Sequence, residues 1–120
     1  MANSFSVNVQ LILNLAAGGS ISGLGAVTAS QTGTHGIENV QNIGTTAETI
    51  SFGDCANVAF VLFKNLDPTN YVEVDSASAM TSFPQKVLPG GVILLSPETT
   101  TVYAKAHTAA CDCLIVACEL

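Results

Sequence analysis

Two histidines, four cysteines and a short acidic group are where any chemistry would have to start in this sequence. Acyl transfer needs a nucleophile beside a base that takes its proton, and histidine is the usual base. His107 stands in KAHTAAC, where it alternates with Lys105 and Tyr103 on one strand face, a surface position. His35 stands in TGTHGI, a glycine-flanked turn. No Gly-x-Ser-x-Gly elbow accompanies either, because GGSISG has its serines out of place for that motif. Glu73 and Asp75 are two residues apart and share a strand face. A glycosidase-type pair would need one of them held protonated in an apolar site, whereas in YVEVD they read as solvated. Asp67, Asn70, Glu73 and Asp75 are together rich in oxygen but lack the loop spacing of a calcium motif.

The cysteines lie at 55, 111, 113 and 118. In a strand, Cys111 and Cys113 point the same way with Cβ atoms about 6.5 Å apart by the strand rise, and a disulfide needs about 3.8 Å. They do not pair with each other. Buried small thiols are the first reading, an inter-strand disulfide the second, and whether Cys55, Cys111, Cys113 or Cys118 form one stays open at this level. Adding His107 does not make a zinc site, since the Cys-x2-Cys spacing is absent. Neither a Gly-x4-Gly-Lys-Ser/Thr loop nor Gly-x-Gly-x2-Gly after a strand occurs, so no nucleotide cofactor has support. The sequence predicts a non-enzyme with no catalytic residue, no cofactor and no metal.

Charge excludes further classes. The formal net charge is −6, from nine acidic residues against Lys64, Lys86 and Lys105, and there is no arginine. Phosphate neutralisation needs clustered Lys and Arg, so nucleic acid and anionic membranes are rejected as direct partners. The start MANSFSVNVQ lacks the positive segment of a signal peptide, and LILNLAAGG is broken by Asn14 and two glycines. No run approaches the ~18 apolar residues of a membrane helix, and the chain reads as made in the cytosol. Charged residues are 10% and apolar residues 48% of the chain. A small domain so poor in charge leaves apolar surface that a partner covers, which predicts a homo-oligomer or an assembly subunit.

The elements that must hold these residues are strands. Phe5, Val7, Val9, Leu11, Leu13 and Leu15 occupy every odd position of the first segment and polar residues most even ones, with Ile12 as the exception; this period of two predicts a half-buried strand. From Ala16 to Gly44 the chain carries seven of its ten glycines and reads as an extended arm or loop with short strands, ordered by a neighbour; an ordinary strand-rich part of the same sandwich is the other reading. Within it Ile37 to Ile43 has an apolar spacing of three, and a loop is expected there. NVAFVLFKN predicts a central strand buried on both faces. LDPTN then breaks the run, with Pro68 presetting a turn and Asp67 and Asn70 able to bond local backbone, so Ala59 to Asn65 and Tyr71 to Asp75 read as a β-hairpin. In CDCLIVACEL, Cys111, Cys113 and Ile115 share one face and Leu114, Val116 and Cys118 the other. About seven to ten strands at intervals of roughly 8 to 12 residues predict an all-β antiparallel sandwich or jelly-roll-like barrel. Residues 1–44 are its glycine-rich N-terminal segment and residues 45–120 its core.

The order TISFGD, FVLFKNLDPTNYVEV and FPQKVLPGGVILLSPETTTVYAKAHTAACDCLIV resembles a family of small all-β virion structural proteins of tailed bacteriophages. The likeness rests on Lys64-Asn65-Leu66-Asp67, on Asn70 to Val74, on Lys86-Val87-Leu88-Pro89-Gly90 and on Tyr103 to Cys111. It covers Thr45 to Leu120 well and Gln31 to Thr46 loosely. Cys113, Cys118 and the sparse positive charge around Lys86 depart from the pattern. The resemblance implies a virion component, head or tail; the sparse charge, the net negative charge and the glycine-rich arm favour a capsid cement or decoration protein on the capsid exterior, bound to the major capsid protein and associating as a trimer, or else a dimer. A tail-associated or fibre attachment module is the alternative within that family. A carbohydrate-binding β-sandwich is the alternative outside it.

Overall fold

The computed structural model describes residues 3–14, 16, 18, 20–31, 33, 35–97 and 101–119. Period-two alternation builds ten strands: β1 (Asn3–Asn14), β2 (Ser20–Gln31), β3 (Gly36–Ile43), β4 (Glu48–Thr49), β5 (Val58–Asn65), β6 (Val72–Asp75), β7 (Gln85–Val87), β8 (Val92–Leu95), β9 (Tyr103–Ala106) and β10 (Cys111–Glu119). No helix occurs among the described residues, and every strand pairing is antiparallel.

Eight of these strands form two four-stranded sheets, ordered β3-β10-β5-β8 and β4-β9-β6-β7. The pairs β3 with β10, β4 with β9, β5 with β8 and β6 with β7 show the construction. The chain from β3 to β6 runs alongside the chain from β7 to β10 as one long ribbon, which folds over so that alternate pairs fall in opposite sheets. This is a jelly roll. Its core lies between the sheets, where Ile43, Val61, Phe63, Val72, Val74, Val87 and Ile115 are buried at 1% exposure or less.

The ribbon corrects the expected hairpin. β5 and β6 follow one another in sequence but lie in different sheets. LDPTN is a turn, as its residues predict: the Asp67 carboxylate accepts from the N–H groups of Thr69 at 2.8 Å and Asn70 at 2.6 Å. It carries the chain across the core instead of back along β5, because Leu66 N–H bonds Asp112 O at 2.9 Å and holds the start of the turn to the β10 side. β5 is also not buried on both faces. Ala59, Val61, Phe63 and Asn65 point into the core, Phe60 and Leu62 are half-buried on the other side, and Lys64 is exposed.

The expected loop at 37–43 is a strand. Ile37 and Ile43 fall on the same side of β3, and Ile43 is completely buried. Gln41 on that side is satisfied locally: its amide donates to Glu48 Oε1 at 3.1 Å and to Thr49 O at 3.0 Å, and its carbonyl accepts from Ser51 N–H at 3.0 Å. The two compact units accordingly divide between Thr32 and Gly33, not after Gly44.

The first unit is a hairpin by itself. β1 pairs with β2 in unbroken register from Asn3 opposite Gln31 to Asn14 opposite Ser20. The glycine-rich segment expected as an arm therefore holds two strands, β2 in this hairpin and β3 in the sandwich. Phe5 and Val7 are half-buried, while Val9 and Leu11 are 49% and 75% exposed. Leu15, counted in the alternation, lies outside the described residues.

Candidate functional site

The two histidines stand at opposite ends of β10, a nine-residue strand about 27 Å long by the strand rise. At the far end Glu119, 7% exposed, caps loose backbone. Its carboxylate accepts from Ala56 N–H at 2.8 Å and from His35 N–H at 3.1 Å, and His35 Nδ1 lies 3.2 Å from it. A Cβ at residue 33 would collide with this carboxylate, so a larger residue there would have to displace the Glu119 side chain. At the near end the His107 ring stacks on Tyr71 with centroids 4.4 Å apart, and its Nδ1 meets the Tyr71 hydroxyl at 2.8 Å. Lys86 Nζ lies 4.1 Å from the Tyr71 ring centre, a cation–π contact. Sequence reasoning missed this stack, whose three members come from separate segments and share no spacing signal.

The acidic residues are occupied with backbone. Asp75 accepts from the N–H groups of Ser76, Ser82 and Phe83 at 2.7 to 3.1 Å. Burial pushes its carboxyl up, but the N–H donors of Phe83, Ser76, Ser82 and Ala77 outweigh burial and hold it below the usual value. Asp67 is lowered for a related reason, chiefly by the N–H groups of Asn70 and Thr69. Glu73 lies between Lys86 on β7 and Lys105 on β9 in the sheet register. Asp75 borders a cleft of about 680 Å³, together with Val74, Phe83, Gln85, Leu95 and Val102. With its charge turned to the 76–83 loop, the walls left to this cleft are mainly apolar.

All four cysteines are free thiols. Cys111 and Cys113 are fully buried on the core face of β10, as the alternation predicts, and Cys55 and Cys118 are half-exposed. Burial, with added repulsion from Cys111 and Asp112, pushes the Cys113 thiol up to about 12. At pH 8 a thiol so placed is about one part in ten thousand thiolate, the reactive form. A maleimide offered to the native protein at pH 8 is expected to modify Cys118 and Cys55 and to spare Cys111 and Cys113 until urea is added. Intact-mass analysis reads this directly, and native labelling of Cys113 would contradict it.

The two sheets differ in what they turn outward. The outer face of β4-β9-β6-β7 is polar, with Glu73, Lys86 and Lys105 in register and the His107–Tyr71 stack beside them. The outer face of β3-β10-β5-β8 is mainly apolar, with the Asn42–Asp112 hydrogen-bonded pair at the start of β10 as its polar end. Its register lines up Val40, Leu114, Lys64 and Val92 in one row, Glu38, Val116, Leu62 and Leu94 in the next, and Cys118 with Phe60 in a third. Val92, Val40 and Val116 are 56%, 51% and 37% exposed. A sheet facing water on one side alternates apolar with polar residues; β5 and β10 are apolar on both sides. The signal was present in VAFVLFKN, whose continuous apolar run reads as a strand in the interior of the domain, and in CLIVAC, where both faces of the strand are apolar. The same pattern arises where a second molecule supplies the missing layer.

Exposed Leu66, Leu88 and Val92 extend this character around one end of the sandwich, where Asn65 N–H bonds Gly91 O and the Asn65 side chain bonds Leu88 O. The arrangement offers a mainly apolar platform on one sheet and a charged face on the other. Comparison with known proteins finds no matching family model, no matching curated protein and no matching solved structure.

Proposed function

We propose that this protein is a non-enzymatic structural component of a tailed-bacteriophage virion, a capsid cement protein that seats the outer face of its β3-β10-β5-β8 sheet on the exterior of the major capsid shell. The observation that carries the reading is that face itself: Val40, Leu114, Val116, Leu62 and Leu94 in adjoining rows, with Lys64, Glu38 and, in the row nearest the start of β10, Asp112 as its charges. Burying such a surface costs little desolvation of charge and removes apolar area from water, the main favourable term in association. The net charge of −6 without arginine keeps the subunit off packaged nucleic acid. Jelly rolls recur in viral shells and also in lectins, so the fold supports the reading by analogy alone.

The test is co-sedimentation of the purified protein with phage shells stripped of their own decoration. Saturable binding at many copies per particle, with a rise in the shell's melting temperature, is expected. Val116→Glu, on an outward position that tolerates charge in the free subunit, should weaken binding at least tenfold, since an unpaired carboxylate buried at a seam costs well over 1.4 kcal/mol. Binding of a handful of copies, confined to particles with tails, would favour the attachment module instead. Failure to bind shells at all would overturn the reading.

A further inference from the structure

We propose, resting on the shell reading, that the free edge of β3 is a strand-addition site. An extended segment of the shell protein, with a Lys or Arg to oppose Glu38 and no acidic residue, pairs with it as a fifth strand of the β3-β10-β5-β8 sheet. Hydrogen-bond parity sets what that segment bonds. Glu119 N–H donates to His35 O at 3.1 Å, one step beyond the pair of Cys118 with Gly36. Direct pairs in an antiparallel ladder alternate between bonded and non-bonded. Ile37, Asn39, Gln41 and Ile43 therefore bond β10, whereas Gly36, Glu38, Val40 and Asn42 turn their N–H and C=O groups away from it. The same count runs on across the sheet, where Leu66 N–H bonds Asp112 O and Asn65 N–H bonds Gly91 O. No backbone bond among the described residues takes up the outward groups of β3.

β3 is unlike the other edges. The two sheets of the sandwich end in β3, β8, β4 and β7. Folded proteins keep exposed edges from pairing by making them short or by setting Pro or Lys in them. β4 has two residues; β7 has three, follows Pro84 and carries Lys86; β8 has four and lies between Pro89 and Pro97. β3 runs for eight residues, GIENVQNI, with no Pro, no Lys and no break in its register. Three edges are closed to a further strand and this one is open.

Position and charge identify the occupant. An added strand prolongs the outer face beyond exposed Val40, so the body that covers the platform also meets this edge. Glu38 stands mid-edge on that face, and the one ion pair among the described residues is that of His35 with Glu119. A second copy of this chain fits poorly. Antiparallel pairing of two β3 edges about Asn39 sets each Glu38 beside Val40 of the other strand, which brings two carboxylates diagonally together on one face, between subunits that each carry −6. A segment bearing a base removes that conflict.

The test exchanges Val for Pro at two matched places. Val40 and Val92 stand in one cross-strand row at opposite edges of the sheet, on the same face, each with its N–H turned away from the ladder. Proline there deletes only an outward donor, so both variants are expected to melt close to the wild type. Titrated onto stripped shells, Val92→Pro reads what the exchange costs on the face, and Val40→Pro is expected to weaken binding at least tenfold more. Equal losses overturn strand addition and leave the shell reading standing; a wild type that ignores shells overturns both. Should Val40→Pro fail to fold, amide hydrogen exchange of the wild type gives the answer: residues 36–43 slow at least tenfold on shells, and unchanged exchange overturns the proposal. Dimerisation of the free wild type that Val40→Pro abolishes, with shell binding unaltered, overturns the shell segment as occupant and puts a second copy in its place.

Discussion

Phe63→Ala is expected to destabilise the domain by about 3–5 kcal/mol, the range for removing a fully buried aromatic ring and leaving a cavity. Phe63 has no exposed surface, sits mid-strand in β5 between Ile115 of β10 and Ile93 of β8, and points into the space between the sheets. Its neighbours on both sides belong to paired strands, so collapse into the void is restricted. Phe60, three residues earlier, lies on the opposite face and is half-buried. The sequence alone treats the two as equals; the structure separates them. Phe60→Ala should lose only part of a transfer term, roughly 1–1.5 kcal/mol. Urea titration of both variants reads the difference, provided the slope of free energy against denaturant stays that of the wild type. Equal losses at the two positions would contradict the assigned faces.

Asn65→Ala should cost about 3 kcal/mol, from stranding several buried polar groups at ~1–3 kcal/mol each before partial relaxation. The Asn65 side chain is wholly buried. Its amide donates to Asn70 O at 2.7 Å and to Val87 O and Leu88 O at 3.3 Å, and its carbonyl accepts from Asp67 N–H at 3.0 Å. One residue thus ties the crossover between the sheets to the segment that follows β7. Asn65→Asp should be worse at neutral pH, since a carboxylate would face three carbonyl oxygens. The sign of its pH dependence follows. Repulsion and burial raise the new carboxyl's folded-state pKa, so the folded state holds the proton more tightly. The deficit against wild type is small below the unfolded value of about 3.9 and complete once the pH passes the raised folded value. Parallel unfolding curves at several pH values check this; a gap that widens on acidification would contradict it.

These residues also mark what was legible in the sequence. The inward set of β10, Cys111, Cys113 and Ile115, follows from alternation, and the all-β class follows from many such segments. The route after Asn65 does not. Asp67, Pro68 and Asn70 encode a turn, but whether a turn returns the chain to the same sheet depends on contacts with Asp112 and Leu88, far along the sequence. β3 was obscured because Val40 on its outer face and Ile37 and Ile43 on its inner face create a spurious spacing of three. β2 was obscured by Gly23 and Gly25, which lower strand propensity where register with β1 compensates. The apolar platform was visible as runs of hydrophobic residues and was assigned to the wrong environment, since one chain's sequence does not distinguish interior from contact surface.

The position of β10 between β3 and β5 has a consequence for how the protein is made. Residues 36–43 and 58–65 have no direct pairing with each other and must wait for residues 111–119 to leave the ribosome. Asn42 finds Asp112 across 70 positions, and at a synthesis speed of about 5–20 residues per second that interval lasts several seconds. During it β3 stays unpaired and β5 has only β8 beside it, so completion of the sheet is a late event.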